Sequence, residues 1–105
     1  MIAGNLVFVS GQSGRDPRTD VVAETIEAQT EQVLQNIATI LEAAGSSLSR
    51  VVRCGVFLTD MTEFARMNAV YARMFGDHRP ARTTVAVSDL PGAGLKVEID
   101  AVALL

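Results

Sequence analysis

Val51-Val52-Arg53-Cys54-Gly55-Val56-Phe57-Leu58 is followed within two residues by Asp60-Met61-Thr62-Glu63, then by an apolar series at Phe64, Met67, Val70, Tyr71, Met74 and Phe75. The first run is β-branched and apolar, with Val52, Cys54, Val56 and Leu58 sharing one face, which is strand character. Asp60 with Glu63 three residues on resembles a capping box, and the series after it has the helical period. Gly76 closes that helix, 77–81 is a loop containing Pro80, and 82–88 returns to strand. A strand–helix–strand succession predicts helices laid on one face of a sheet through right-handed crossovers.

Upstream, Leu6-Val7-Phe8-Val9-Ser10 reads as a buried strand. The turn-rich 11–20 segment then reads as a hairpin loop leading to a short strand at Val21-Val22. Over 23–44 the period is helical again, with Ile26, Thr30, Val33, Leu34, Ile37, Leu41 and Ala44 on one side and Gly45 as the stop. Downstream, Leu90-Pro91-Gly92-Ala93-Gly94 joins the 82–88 strand to a last one over 96–104. The order is β(β)αβαββ, an α+β class, and 105 residues are expected to make a single domain over 1–105.

Composition narrows the partners. Hydrophobic residues make up 49% and charged residues 20%, rich for a chain whose size leaves so much surface per unit volume. A second apolar face that meets another subunit accounts for the excess. Nine Lys and Arg against twelve Asp and Glu give a net charge of −3, the wrong sign for a protein that grips nucleic acid by its phosphates. One cysteine, Cys54, excludes an internal disulfide and a cysteine-built metal site. No window reaches the roughly 20 apolar residues of a membrane helix, and no basic-then-apolar leader opens the chain. The expectation is a soluble cytoplasmic protein with no membrane or nucleic-acid partner.

Pairing the last two strands as a hairpin predicts a site. Thr83, Val85 and Val87 form the more apolar row of one, and Val97, Ile99 and Ala101 that of the other. If both rows face the helices, Arg82, Thr84, Glu98 and Asp100 share the opposite, uncovered face. The opening strand is apolar on both faces, and Val102 and Leu104 also point away from the helices. Such a surface suggests subunit association, with the polar cluster at a junction.

Each candidate has a plain alternative. Arg82 is either a structural ion-pair partner of Glu98 or Asp100, or a guanidinium fork for a ligand carboxylate. Arg73, His78 and Arg79 add local positive charge suited to a small anion. Glu98 is either a solvent-facing strand carboxylate or a group that orients and deprotonates water. Thr84 is an ordinary strand residue or a ligand hydrogen-bonder. Cys54 reads as a small buried hydrophobe, His78 as a solvated loop residue, and Gly11 with Gly14 as no phosphate-binding loop. No metal, nucleotide or flavin motif emerges.

Taken together, Gly4-Asn5-Leu6-Val7-Phe8-Val9-Ser10-Gly11-Gln12, the 32–37 and 41–45 stretches, Val56-Phe57-Leu58-Thr59-Asp60-Met61 with Phe64, Met67-Asn68 and Tyr71, Pro80-Ala81-Arg82-Thr83-Thr84-Val85, Leu90-Pro91 and Val97-Glu98-Ile99-Asp100-Ala101 resemble the RidA family, also called YjgF or L-PSP endoribonuclease. The resemblance runs in order through nearly the whole chain. It implies a chorismate-mutase-like (bacillus-type) fold with two helices on one face of the sheet. It also implies a homotrimer with an inner barrel of sheets and ligand sites between subunits. The activity implied is cofactor-independent hydrolysis of 2-iminobutanoate and 2-iminopropanoate, or their enamines, to 2-oxo acids and ammonia. Arg82 then matches the arginine that grips the substrate carboxylate, and Glu98 the glutamate that positions water. Thr84 stands where many members have Cys, and Ser10 and Gly11 line the cleft. Members usually carry a Gly-Pro-Tyr-Ser-like segment ahead of the opening strand, with a tyrosine at the site. Met1-Ile2-Ala3-Gly4 offers no counterpart, so weaker substrate enclosure is expected. A non-catalytic carboxylate-binding or regulatory protein is the alternative function, and an endoribonuclease or translation inhibitor is a third, disfavoured by charge.

Overall fold

The computed structural model describes residues 1–105. Its strands are β1 (Ile2–Ala3), β2 (Leu6–Ser13), β3 (Val51–Leu58), β4 (Ala81–Ala86) and β5 (Val97–Leu104); its helices are α1 (Ile26–Ala43) and α2 (Phe64–Phe75). The five strands form one sheet in the order β1-β2-β5-β3-β4. Both helices pack on the same face, as the α+β reading expects, and a core of buried residues fills the space between: Val7, Val9, Val33, Leu34, Ile37, Leu41, Cys54, Val56, Leu58, Met67, Val97, Ile99 and Ala101 among them.

Local chemistry sets the helix ends. The Thr25 hydroxyl accepts the Ala28 N–H at 3.1 Å, so α1 starts at Ile26 rather than Ala23. At the other end Gly45, at φ +88°, lets the Ser46 N–H return to the Leu41 carbonyl and its own N–H to that of Glu42. The Asp60 carboxylate accepts from the Thr62 N–H at 2.9 Å, capping a short 3-10 turn at Met61–Glu63 from which α2 follows. Glu63 does not complete a capping box: it pairs instead with Arg66 and Lys96, each at 3.7 Å. Across the outer seam, Arg66 grips Glu27 bidentately at 2.7 and 2.9 Å, and Arg73 meets Glu31 at 3.7 Å.

Three sequence expectations change. Strand β2 runs on to Ser13 through an irregularity between Val9 and Gln12, and Val21-Val22 contributes a single bridge, Val22 to Arg15. The short extra strand is β1, ahead of β2. In β3 a bulge between Val51 and Arg53 turns Val52 outward, 40% exposed, and Val51 takes the buried place expected of it.

The third change matters most. The last two strands are not a hairpin: β3 lies between β4 and β5, parallel to β4 and antiparallel to β5. A strand delivered by a helical crossover lies parallel to the strand it left, and β5, whose inward row is wholly buried, takes the centre of the sheet. Pairing Cys54 with Arg82 and Val56 with Thr84 puts Arg82 and Thr84 on the helix-covered face, and Thr83 and Val85 on the open one. Pairing Gly55 with Asp100 and Phe57 with Glu98 leaves both carboxylates on the open face. The expected four-residue cluster therefore divides between opposite faces of the sheet. The open face does carry the expected apolar surface, with Phe8 43%, Val85 39% and Leu104 37% exposed.

Buried Gln29 ties the 89–95 loop to α1. Its Nε2 donates to the carbonyls of Ala23 and Gly94, at 2.8 and 2.9 Å, and its Oε1 accepts the Lys96 N–H at 2.8 Å. Gly14 lies directly on this residue, where a Cβ would come within 2.8–3.0 Å of its backbone and Cβ. Gln29→Leu keeps the bulk and strands three backbone groups, so urea unfolding is expected to show a loss of about 2–4 kcal/mol; a loss under about 0.5 kcal/mol would contradict this role.

Candidate functional site

Helix α2 presents Phe64, Asn68 and Tyr71 along one stripe, spaced four and three residues apart, above the edge strand β4. Arg82 lies under that stripe. Its guanidinium carbon stands 4.6 Å from the Tyr71 ring centre and 5.5 Å from that of Phe64. Residues seven apart are separated by roughly 10.5 Å along a helix, so a group this close to both rings sits between them. One N–H edge donates to Asn68 Oδ1 at 2.7 Å. No carboxylate lies within ion-pair distance of Arg82, which rejects the structural pairing with Glu98 or Asp100.

This guanidinium forms one wall of a cleft of about 380 Å³, whose other walls are Asn68, Tyr71, Ala72, Phe75, His78, Arg79 and Pro80. No acidic side chain lines it, although the chain carries a net charge of −3. His78 is half-buried rather than a solvated loop residue; its Nε2 donates to the Val51 carbonyl at 2.6 Å. Arg79 caps the Gly76 and His78 carbonyls. Arg73, tied to Glu31, stays outside. A half-buried guanidinium without a counter-ion and with donors to spare has the geometry and charge that match a small carboxylate.

Below it, Cys54 is fully buried. Burial raises its thiol above the ordinary range, the Tyr71 hydroxyl beside it opposing the shift. Burial also lifts the Tyr71 phenol well above its usual value, with the Cys54 thiol adding to the effect. The hydroxyls of Tyr71 and Thr84 are buried without a hydrogen-bond partner.

The other candidates meet on the open face. The Glu98 side chain lies over Gly11, where a Cβ would stand 2.8 Å from its Cδ, so a larger residue there would push the carboxylate aside. Ser10 and Gly11 border a concavity of about 440 Å³ together with Phe8, Arg53, Asp100 and Val102. Asp100 accepts the Gly55 N–H at 2.8 Å and faces Arg53 at 3.8 Å, while Glu98 has no ion-pair partner. Arg82 and Thr84 thus lie on one side of the sheet, with Thr84 absent from the cleft lining, and Glu98, Ser10 and Gly11 lie on the other. The sequence pattern places Tyr71 in the apolar stripe as a core residue and assigns Asn68 no role. The available signal was Asn68, an amide inside an otherwise apolar helical stripe.

The fold is an α+β sheet covered on one side by two helices, with an arginine-walled cleft at its edge strand. A family model described as Endoribonuclease L-PSP matches residues 1–105, and the chain belongs to that family, which includes the RidA and YjgF proteins it resembles. It is 52% identical to a RutC family protein of Pyrococcus horikoshii, over 96% of this chain and 80% of that one. It is 42% identical to the 2-iminobutanoate/2-iminopropanoate deaminase of Salmonella typhimurium, over 96% and 80%. Among solved structures, E. coli TdcF with bound serine superposes with a TM-score of 0.95 at 35% identity, covering 100% of this chain and 84% of that one. No helix is long and apolar enough to cross a membrane.

The buried thiol and phenol carry a pH prediction. In the unfolded chain they titrate near about 8.5 and 10, below their raised folded values. Their contribution to stability is full below about pH 8 and falls as pH rises, because the unfolded chain then binds fewer protons. Urea midpoints are expected to drop between about pH 8 and 10.5, and Cys54→Ala with Tyr71→Phe to flatten the drop. A wild-type profile with no alkaline decline would contradict this.

Proposed function

We propose that the chain hydrolyses reactive 2-imino acids, 2-iminobutanoate and 2-iminopropanoate, and their enamine tautomers, to 2-oxo acids and ammonia, as a soluble cytoplasmic homotrimer with its sites between subunits. The uncompensated Arg82 guanidinium carries this reading. It is a preformed socket for the 2-carboxylate that all these substrates share. The deaminase named for the Salmonella typhimurium relative supplies the reaction class.

Placement on opposite faces means that no single chain offers Arg82 and Glu98 to one ligand. Two features favour completion by a second copy. Strand β4 is a sheet edge with exposed Thr83 and Val85, and the open face bearing Glu98 is apolar at Phe8 and Leu104. A neighbour's open face laid along the β4 edge covers both surfaces and brings its Glu98 to the Arg82 cleft, in a head-to-tail contact that closes into a ring.

In that arrangement Arg82 holds the carboxylate, and the Thr84 hydroxyl lies buried behind it. The neighbour's Glu98 accepts a proton from water as the water oxygen bonds to the imine carbon. Glu98 passes that proton to the nitrogen, giving a carbinolamine; it then moves the hydroxyl proton to the nitrogen as the C–N bond breaks, so that ammonia leaves and the 2-oxo acid remains. Ser10 and Gly11 frame the water side. Only water is consumed, and positioning with charge neutralisation supplies the rate.

A dehydratase that releases 2-iminobutanoate from threonine, coupled to this protein and followed by semicarbazide trapping, tests the proposal. Trapping is expected to fall with the wild type. Arg82→Ala is expected to lose about 2–3 kcal/mol in kcat/KM, and Glu98→Gln about 100-fold in rate. Undiminished trapping at high wild-type concentration overturns the reading. Carboxylate binding without turnover would reduce it to a carboxylate-binding module, and RNA cleavage lost in Arg82→Ala would replace it.

A further inference from the structure

The residue that holds Arg82 is an amide. Asn68 Oδ1 accepts from the guanidinium at 2.7 Å, on a half-exposed turn of α2 with no packing demand against charge. An aspartate differs from it by one atom and would hold the same N–H edge more strongly. Elsewhere α2 uses carboxylates for this purpose: Glu27 and Glu63 on Arg66, Glu31 on Arg73. Arg50 and Arg79 are held by backbone carbonyls, and among the arginines held by another side chain only Arg82 is gripped, by Asn68, without being neutralised. Tyr71 and Phe64 do the same, holding the cation through ring faces that carry no formal charge.

We infer that Asn68 is a positioning residue whose neutrality keeps the Arg82 charge available to a ligand carboxylate, so that the Phe64–Asn68–Tyr71 stripe fixes the guanidinium without occupying its electrostatic capacity. The inference rests on the reading of Arg82 as a carboxylate socket, and it adds what sets the strength of that socket. With its faces against two rings and one edge on the amide, the guanidinium keeps its remaining in-plane donors for a planar anion. A carboxylate at position 68 would act as an internal competitor.

A merely structural role for Asn68 and the role inferred here order two variants oppositely. Asn68→Asp keeps the hydrogen bond and cancels the charge; Asn68→Leu removes the hydrogen bond and leaves the charge. The readouts are the calorimetric affinity of the full chain for 2-oxobutyrate and the thermal midpoint, with Arg82→Ala as reference. Asn68→Asp is expected to weaken binding by at least about tenfold with an unchanged or higher midpoint, and Asn68→Leu to weaken it less. Asn68→Glu supplies the same charge should Asn68→Asp not fold. Equal affinity in Asn68→Asp and wild type, or a larger loss in Asn68→Leu, overturns the inference while the Arg82 socket stands. A wild type that does not bind 2-oxobutyrate through Arg82 overturns both.

Discussion

A guanidinium in a protein of net negative charge ordinarily finds a carboxylate, and in this chain Arg15, Arg18, Arg53, Arg66 and Arg73 do, while the exposed Arg50 and Arg79 are held by backbone carbonyls. Arg82 is kept from one. It is half-buried, held by two aromatic faces and one amide, and its free donors open on a cleft without acids. Holding a cation partly out of water with no counter-ion costs free energy that a bound carboxylate returns. The proposed preference for a carboxylate rests on that imbalance, and the fold supplies it. The crossover through α2 lays the Phe64–Asn68–Tyr71 stripe over the strand it delivers.

The same topology separates the acid half of the proposed chemistry. With β3 between β4 and β5, Glu98 projects from the far side of the sheet, seated over Gly11. An open face that is apolar at Phe8, Val85 and Leu104, together with an unpaired edge at β4, gives a small domain two surfaces to cover. In the proposed assembly, association and site formation are one event.

Much of this was legible in the residues. Both helices follow from their apolar periods, with C-terminal ends at Gly45 and Gly76, although the period of the first begins at residue 23 and does not reveal the Thr25 cap; the apolar open face follows from Phe8, Val102 and Leu104. The pairing of the last strands was not legible. Thr83 and Val85 look like an inward row by hydropathy, and Arg82 and Thr84 like an outward one. At a sheet edge beneath an overhanging helix, the hydropathy rule inverts: the polar pair turns inward because Tyr71, Phe64 and Asn68 provide partners there that no local pattern reveals. Val52 misled for a related reason, since a bulge shifts the alternation by one residue. Arg82 and Glu98 were singled out on a hairpin geometry that the sheet does not have. Their opposite placement strengthens the case for a shared site rather than a self-contained one.

The central claim is that one chain's Arg82 works with another chain's Glu98. It is tested most directly by unfolding Arg82→Ala and Glu98→Gln chains together, reassembling them, and measuring imine hydrolysis by the mixture. Each parent alone has no complete junction, whereas random assembly of equal parts gives about one junction in four an intact Arg82 facing an intact Glu98. Recovery to about a quarter of wild-type activity is the expected result. A reassembled mixture no more active than the better of its two parents would contradict the shared site.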